Sequence, residues 1–426
     1  MKPLLYINNF RGFKNTFLQL ERVNFFVGEN STGKTSILKL VKILSETEFW
    51  FKTDSDHFRK EFGYFSEITT EKSFEIGLFS LIPQKFIHLK FVDSHGFAKL
   101  KEIRQIDSNI NMFICLTIKG AEYKFKKGNY GDYFKDKQLE NFKEWIESDN
   151  LIDEKKNINK TLKAVNLPLI LQIHLVISKH LEEESKSFDV PSLVGQLAWL
   201  APIRTEPKRT YDDYELNFSP EGTHVPYILK KQLSNKRTKQ SKKFEEILNR
   251  FGEDSGLFEK ITVSQYSKSN LSPFEINVVL NGKALKIINV GYGVSQILPL
   301  IVETVIRSDD SWLAIQQPEI HLHPKGQAAF GDLLFKSALN DGKGFIVETH
   351  SDYTIDRYRL KLSRHSSEES QIERDRIESQ VVFFNRTKEG NNLSVISINP
   401  NGSYSEDQPR EFKEFFIREE LALLQI

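Results

Sequence analysis

The run Gly28-Glu29-Asn30-Ser31-Thr32-Gly33-Lys34-Thr35 has the spacing of a phosphate-binding loop: glycine, four residues, then Gly-Lys-Ser/Thr. Each residue type answers a need of a bound triphosphate. Gly28 and Gly33 allow a tight turn, Lys34 reaches the β and γ phosphates, and Thr35 holds Mg²⁺. An apolar stretch, Val23 to Val27, precedes the run, and a helical pattern carrying Ile37, Leu38, Leu40, Val41, Ile43 and Leu44 follows it. That order aims backbone N–H groups and a helix N-terminus at an anion.

Three downstream motifs carry further chemistry. Asn289-Val290-Gly291-Tyr292-Gly293-Val294-Ser295-Gln296 is a glycine-rich turn opening a helix, with a hydroxyl near the helix start, and can also grip a phosphate. Trp312-Leu313-Ala314-Ile315-Gln316-Gln317-Pro318-Glu319-Ile320-His321-Leu322-His323-Pro324 is an apolar strand whose C-terminal edge is polar, the place where α/β sheets put ligand chemistry. Phe345-Ile346-Val347-Glu348-Thr349-His350-Ser351 repeats the strand and ends in a histidine.

The elements that must position these residues can be read from pattern. Residues 1–45 read as strand, strand, loop, helix. Residues 73–126 hold β-like stretches such as 74–79 and 86–92 and read as an antiparallel lobe. Helical periodicity covers 130–190, clearest over 169–181. Residues 274–290 read as a hairpin turning at Asn281-Gly282. From 294 to 360 helices and strands alternate, which implies a parallel layer. A β-rich piece over 379–398 and a helix over 409–424 finish the chain.

The 426 residues suffice for two or three domains, or for one large domain with insertions, and the 33 phenylalanines supply large core volume. A net charge of +1 excludes a uniform polyanion-binding surface, so nucleic-acid contact must come from patches. The basic segment Lys230 to Lys243 is one patch, Lys124, Lys126 and Lys127 a second, and Arg204, Lys208 and Arg209 a third. The first reads foremost as a solvated surface segment, and Arg204 also as an internal packing or signalling residue. The single cysteine, Cys115, excludes an internal disulfide and a CxxC metal site. With no signal-like N-terminus and no apolar run of about 18 residues, the expected location is the cytoplasm, without membrane contact.

The order and spacing of these motifs resemble ABC-type ATPases of the SMC-like and RecF-like branch. More narrowly, they resemble the OLD-related AAA-family ATPases of bacterial anti-phage and DNA-maintenance loci, which include the PtuA type. The resemblance covers roughly 1–125 and 260–426 and extends to Phe62-Gly63-Tyr64-Phe65 and Trp199-Leu200-Ala201-Pro202-Ile203-Arg204. It implies an α/β fold: an ABC-type ATPase head with a P-loop parallel sheet, an antiparallel β lobe and a helical insertion. The expected boundaries are 1–125 and 259–426 for the two parts of the head and 126–258 for the insertion with its basic segment.

The resemblance implies roles residue by residue, with ATP and Mg²⁺ as cofactors. Arg11 lies beside the nucleotide. Gly28, Glu29, Asn30, Ser31, Thr32, Gly33, Lys34, Thr35 and Ser36 form the phosphate loop. Gly293, Ser295 and Gln296 cap the γ-phosphate of the opposite protomer. Gln316 takes the Mg²⁺-side position with Thr35, Gln317 the water-activating position, and His350 the switch near the γ-phosphate. His321 and His323 lie near the loop crossing a dimer interface. A complete site then needs two heads, so a homodimer or higher homo-oligomer closed by ATP is implied.

The chain departs from the family at Gln316 and Gln317, where an acidic residue is expected. A neutral Gln317 can orient water but cannot act as a general base. Three accounts are open: an engineered Glu→Gln change that traps ATP, a natural slow hydrolase using ATP as a clamp, or Glu319 supplying the charge. Glu319 also reads as a buried carboxylate that holds the following loop. After His350 no Asp-x-Asp metal pair of the OLD nuclease module occurs, so any effector is expected to be a separate nuclease or toxin. The functional expectation is an ATPase that gates such an effector. The alternatives are a RecF-like ATPase that clamps DNA and a non-hydrolysing scaffold with structural ATP.

Overall fold

A computed structural model describes residues 1–51, 56–117, 120–148, 190–212, 217–234, 238–267, 272–368 and 377–415. The helical expectation over 169–181, the end of the helix expected over 409–424, and Asn235 to Arg237 of the basic segment lie outside the described residues.

The N-terminal strands β1 (Leu4–Asn8) and β2 (Thr16–Gln19) form a hairpin, and β3 (Val23–Gly28) is buried throughout. The lobe follows as β4 (Ser73–Leu81), β5 (Gln84–Ser94), β6 (Phe97–Ile106), β7 (Ile110–Thr117) and β8 (Gly120–Lys127). These pair antiparallel in the order β2-β1-β4-β5-β6-β7-β8. The lobe thus takes in the first two strands as well as 73–126, because Leu4 to Asn8 pairs with Phe79 to Glu75. An aromatic cluster of Tyr6, Phe79, Phe86, Phe134, Phe142 and Trp145 packs on it. Ring spacing of 4.9 Å between Phe86 and Phe142 anchors the helix Gln138–Glu147 there.

The remaining strands are β9 (Leu197–Leu200), β10 (Lys260–Gln265), β11 (Phe274–Leu280), β12 (Lys283–Lys286), β13 (Trp312–Gln316), β14 (Gly344–Glu348), β15 (Ser379–Thr387) and β16 (Gly390–Ile398). A six-stranded sheet runs β16-β15-β3-β14-β13-β9, and the β3, β14, β13 and β9 pairings are parallel. β13 and β14 are buried at every position, as strands covered on both faces must be, which explains their unbroken apolar runs. The helices Tyr292–Ile306, Pro324–Asp341 and Asp352–Glu368 alternate with them as the pattern over 294–360 predicts. The stretch expected as a helical insertion also supplies β9, whose four residues are too short a run to stand out in sequence. Asn281 and Gly282 both take positive φ (49° and 69°) between β11 and β12, as a two-residue hairpin turn requires.

The chain divides into two compact units. The first comprises Met1–Glu21, Glu29–Gln196 and Phe384–Leu393; the second comprises Arg22–Gly28, Leu197–Phe383 and Ser394–Ile426. Among the described residues no helix is long and apolar enough to cross a membrane.

Candidate functional site

In the first unit the phosphate loop runs into the helix Lys34–Ser45. Gly33 stands at the helix start with φ +97°, and no side chain caps it there. An uncapped first turn presents N–H groups that an anion can take. Lys34 is buried, and its Nζ donates to the Glu29 carbonyl at 2.6 Å, which folds the ammonium back over the loop. The Thr32 hydroxyl donates to the same carbonyl at 2.8 Å. Glu29, Asn30 and Ser31 are exposed.

The loop is braced from behind by residues far off in sequence. A Cβ on Gly33 would lie 2.4 Å from the Phe13 ring. Asn391 donates through its backbone to the Gly12 carbonyl at 2.9 Å and through Nδ2 to the Arg11 carbonyl at 2.8 Å. Arg386 donates to the Ser31 carbonyl at 3.2 Å. Arg11 itself takes a left-handed φ of 49°, donates to the Glu67 carbonyl at 2.7 Å, and has its guanidinium 5.6 Å from the Phe62 ring centre. Of the Phe62 to Phe65 block, Phe62 thus packs beside Arg11.

In the second unit the polar ends of β13 and β14 meet. Gln316 and Glu348 are in register on neighbouring parallel strands, and both are buried. Gln316 Nε2 donates to Glu348 Oε2 at 2.9 Å, and Trp199 Nε1 donates to Gln316 Oε1 at 3.1 Å. Gln317 takes a φ of +43°, uncommon outside glycine, and its N–H donates to the Glu348 carbonyl at 2.7 Å.

Glu319 accepts from the Thr349 hydroxyl at 2.8 Å and from the His350 N–H at 2.7 Å. Its carboxylate, half-buried where a buried one is expected, thus holds the exit of β14. Gln327 completes the tie, donating to the Leu322 carbonyl at 2.8 Å and accepting from the Ser351 hydroxyl at 2.6 Å. His323 caps the helix Pro324–Asp341, its Nδ1 accepting from the Lys325 N–H at 3.4 Å, with Pro324 at the first turn. His321 is exposed, 5.7 Å from the ring of Tyr292.

Gly293 lies against this loop: a Cβ there would come 2.7 Å from the His321 carbonyl. Ser295 donates to the Tyr292 carbonyl at 2.9 Å. Gln296 turns inward, with Oε1 accepting from the Arg204 N–H at 3.2 Å. Arg204 is buried and donates to the Gln316 carbonyl at 2.9 Å, so it belongs to the interior and not to a basic surface. Burial pushes its guanidinium down to about 10, opposed by the nearby Glu319 charge. Lys230 is interior too, its Nζ donating to the Ser272 carbonyl at 3.0 Å and lying 4.8 Å from the Phe274 ring centre. Lys231, Lys239, Lys242 and Lys243 remain exposed, and Lys243 pairs with Asp341 at 3.2 Å.

Sequence reasoning missed Glu348, Trp199, Thr349 and Gln327 as site residues. Only Glu348 had a usable signal, the same one that singled out Gln316: a polar residue ending an apolar strand. Among the described residues no group of three or more His, Cys, Asp or Glu side chains is placed to hold a metal. A nucleotide's Mg²⁺ does not need one, since it is held by one or two carboxylates together with phosphates and water. A hydroxyl such as that of Thr35 is one of the oxygen donors such a site uses.

A family model described as "AAA ATPase domain" matches residues 1–355. No curated protein matches the chain. Among solved structures, the chain is similar to an SMC head bound to the C-winged helix domain of ScpA, at 12% identity and TM-score 0.42, covering 93% of this chain and 98% of that one. It is also similar to the SMC head domain from Thermotoga maritima, at 12% identity and TM-score 0.38, covering 92% and 98%. A third is the Pyrococcus furiosus SMC head domain with an extended coiled coil, at 11% identity and TM-score 0.38, covering 99% and 100%.

Proposed function

The chain belongs to the AAA ATPase domain family, and from that premise we propose that it binds ATP-Mg²⁺ in the Gly28–Ser36 loop, dimerises on it, and gates a separate effector protein. The observation that carries the nucleotide part is Lys34. A buried ammonium held to the Glu29 carbonyl at 2.6 Å, beside an uncapped helix start, is a preformed cradle for a triphosphate. Thr35 supplies the metal-side hydroxyl, and Glu319 holds the backbone at His350, the residue read as the switch. Gly293 and Ser295 serve a partner protomer's nucleotide, and Arg11 flanks its own. The effector, a nuclease or toxin, and the anti-phage setting rest on the resemblance to OLD-related and PtuA-type ATPases.

The test is ATP binding with phosphate release, for the natural chain and Lys34→Ala. The natural chain is expected to bind ATP, and Lys34→Ala to lose that binding while keeping its fold by circular dichroism. Failure of the natural chain to bind ATP would overturn the proposal. Phosphate release separates a hydrolase from an ATP-bound scaffold. A DNA-clamping role has less to recommend it: among the described residues of Lys230 to Lys243, Lys230 is interior and Lys243 is paired.

A further inference from the structure

We propose that Arg386, at the tip of the β15–β16 hairpin, is a positioning residue for the phosphate loop: by holding the Ser31 carbonyl it turns the Thr32 N–H toward a bound phosphate. The assignment rests on the ATP-binding reading and adds a residue to it. Arg386 and the loop from Glu29 onward lie in the same compact unit. The Arg386 Nη2 donates to the Ser31 carbonyl at 3.2 Å. The Ser31–Thr32 peptide is trans, and a trans peptide is planar with its C=O and N–H on opposite sides. The bond that takes the Ser31 carbonyl therefore aims the Thr32 N–H the other way. The guanidinium stands behind the loop, on the side away from that N–H. The Glu29 carbonyl is held in the same manner by Lys34 and Thr32, which fixes the direction of the Asn30 N–H.

Ser31 needs such a hold. Its φ of 61° is left-handed, a conformation that costs a residue bearing a Cβ and lasts only where neighbours fix it. Ser31 is exposed, so close packing of its side chain does not supply that constraint, whereas the Arg386 bond acts on its own carbonyl. The hairpin tip delivers Arg386 to one place. Asn391 bonds the Gly12 carbonyl at 2.9 Å and the Arg11 carbonyl at 2.8 Å, and Gly390 passes so near the Gly12 carbonyl that a Cβ has no room. The Thr387 hydroxyl closes the turn, donating to the Gly390 carbonyl at 3.0 Å and accepting from the Glu389 N–H at 3.3 Å. Among the described residues no carboxylate pairs with Arg386, so its bond goes to the loop. A guanidinium keeps its charge in proteins, and a charged donor makes the stronger bond to a carbonyl.

The experiment is calorimetric titration of ATP and of inorganic tripolyphosphate, both with Mg²⁺, for the natural chain, Arg386→Ala, Arg386→Lys and Lys388→Ala, with denaturant midpoints alongside. Arg386 is exposed, so Arg386→Ala is expected to keep the natural midpoint. It should weaken ATP and tripolyphosphate alike by about 3- to 10-fold, the worth of one exposed charged hydrogen bond. The Ser31 carbonyl takes a single bond from Arg386, so Arg386→Lys, which keeps a charged donor, should recover part of the loss. Lys388 is exposed on the same tip and controls for charge alone, and Lys388→Ala should bind as the natural chain does. Full affinity in Arg386→Ala would overturn the assignment. So would an equal loss in Lys388→Ala, which would mark a diffuse charge effect, or a loss for ATP that spares tripolyphosphate, which would put Arg386 on the nucleoside. If the natural chain binds neither ligand, the ATP-binding reading itself has failed, an outcome distinct from these.

Discussion

At the scale of single residues, function depends on close approaches that only certain side chains permit. Gly33 combines a φ of +97° with a would-be Cβ 2.4 Å from Phe13, so two separate costs oppose any side chain there. Gly33→Ala is expected to lower stability by about 1–3 kcal/mol through backbone strain and overpacking. It should also weaken ATP binding, since the strain falls on the loop itself. Denaturant midpoints and nucleotide titration check both, and an unchanged midpoint would mean the Phe13 contact is soft. Gln316 shows the reverse case. From sequence it reads as a missing charge, yet its amide is fitted to Trp199 on one side and Glu348 on the other. No property of residue 316 alone could reveal that.

At the scale of elements, the lobe carries its own electrostatic signature. Glu75 on β4 faces His88 on β5 at 3.6 Å, and Asn8 on β1 donates to it at 3.2 Å. His88 does most to hold the Glu75 carboxyl at about 2, with Asn8 and Lys90 adding and burial opposing, against 4.5 for a free glutamate. Below pH 4.5 the unfolded chain takes up this proton before the folded one does. The stability Glu75 contributes is therefore complete above about 4.5 and is lost as pH falls toward about 2. Urea midpoints measured across that window should fall more steeply for the natural chain than for Glu75→Gln. Equal slopes would show that the contact contributes nothing. The element boundaries themselves were largely legible. The Asn281-Gly282 turn, the strands at 74–79 and 86–92, and the helix–strand alternation over 294–360 all form where local pattern puts them. β9 was not legible, because four residues beside β13 owe their strand state to a parallel partner more than 100 positions away.

At the scale of the whole molecule, the proposal is that two copies pair on ATP. Tyr292 is 52% exposed at the start of its helix, and the ring of exposed His321 lies 5.7 Å from it. Light scattering with ATP-Mg²⁺ is expected to show a doubled mass for the natural chain and an unchanged mass for Lys34→Ala. A mass that ignores both nucleotide and Lys34 would leave a constitutive assembly instead. The sequence by itself determined the strand–loop–helix around Gly28 to Thr35, the α/β character and the antiparallel lobe, because glycine spacing and hydrophobic period act within a few residues of one another. Only the tertiary structure decided that Arg204 and Lys230 are interior, that Glu319 grips Thr349 and His350, and that Glu348 stands beside Gln316. Those facts depend on strand register and on burial. Both arise from pairing segments that lie far apart in the chain, and no local pattern encodes them.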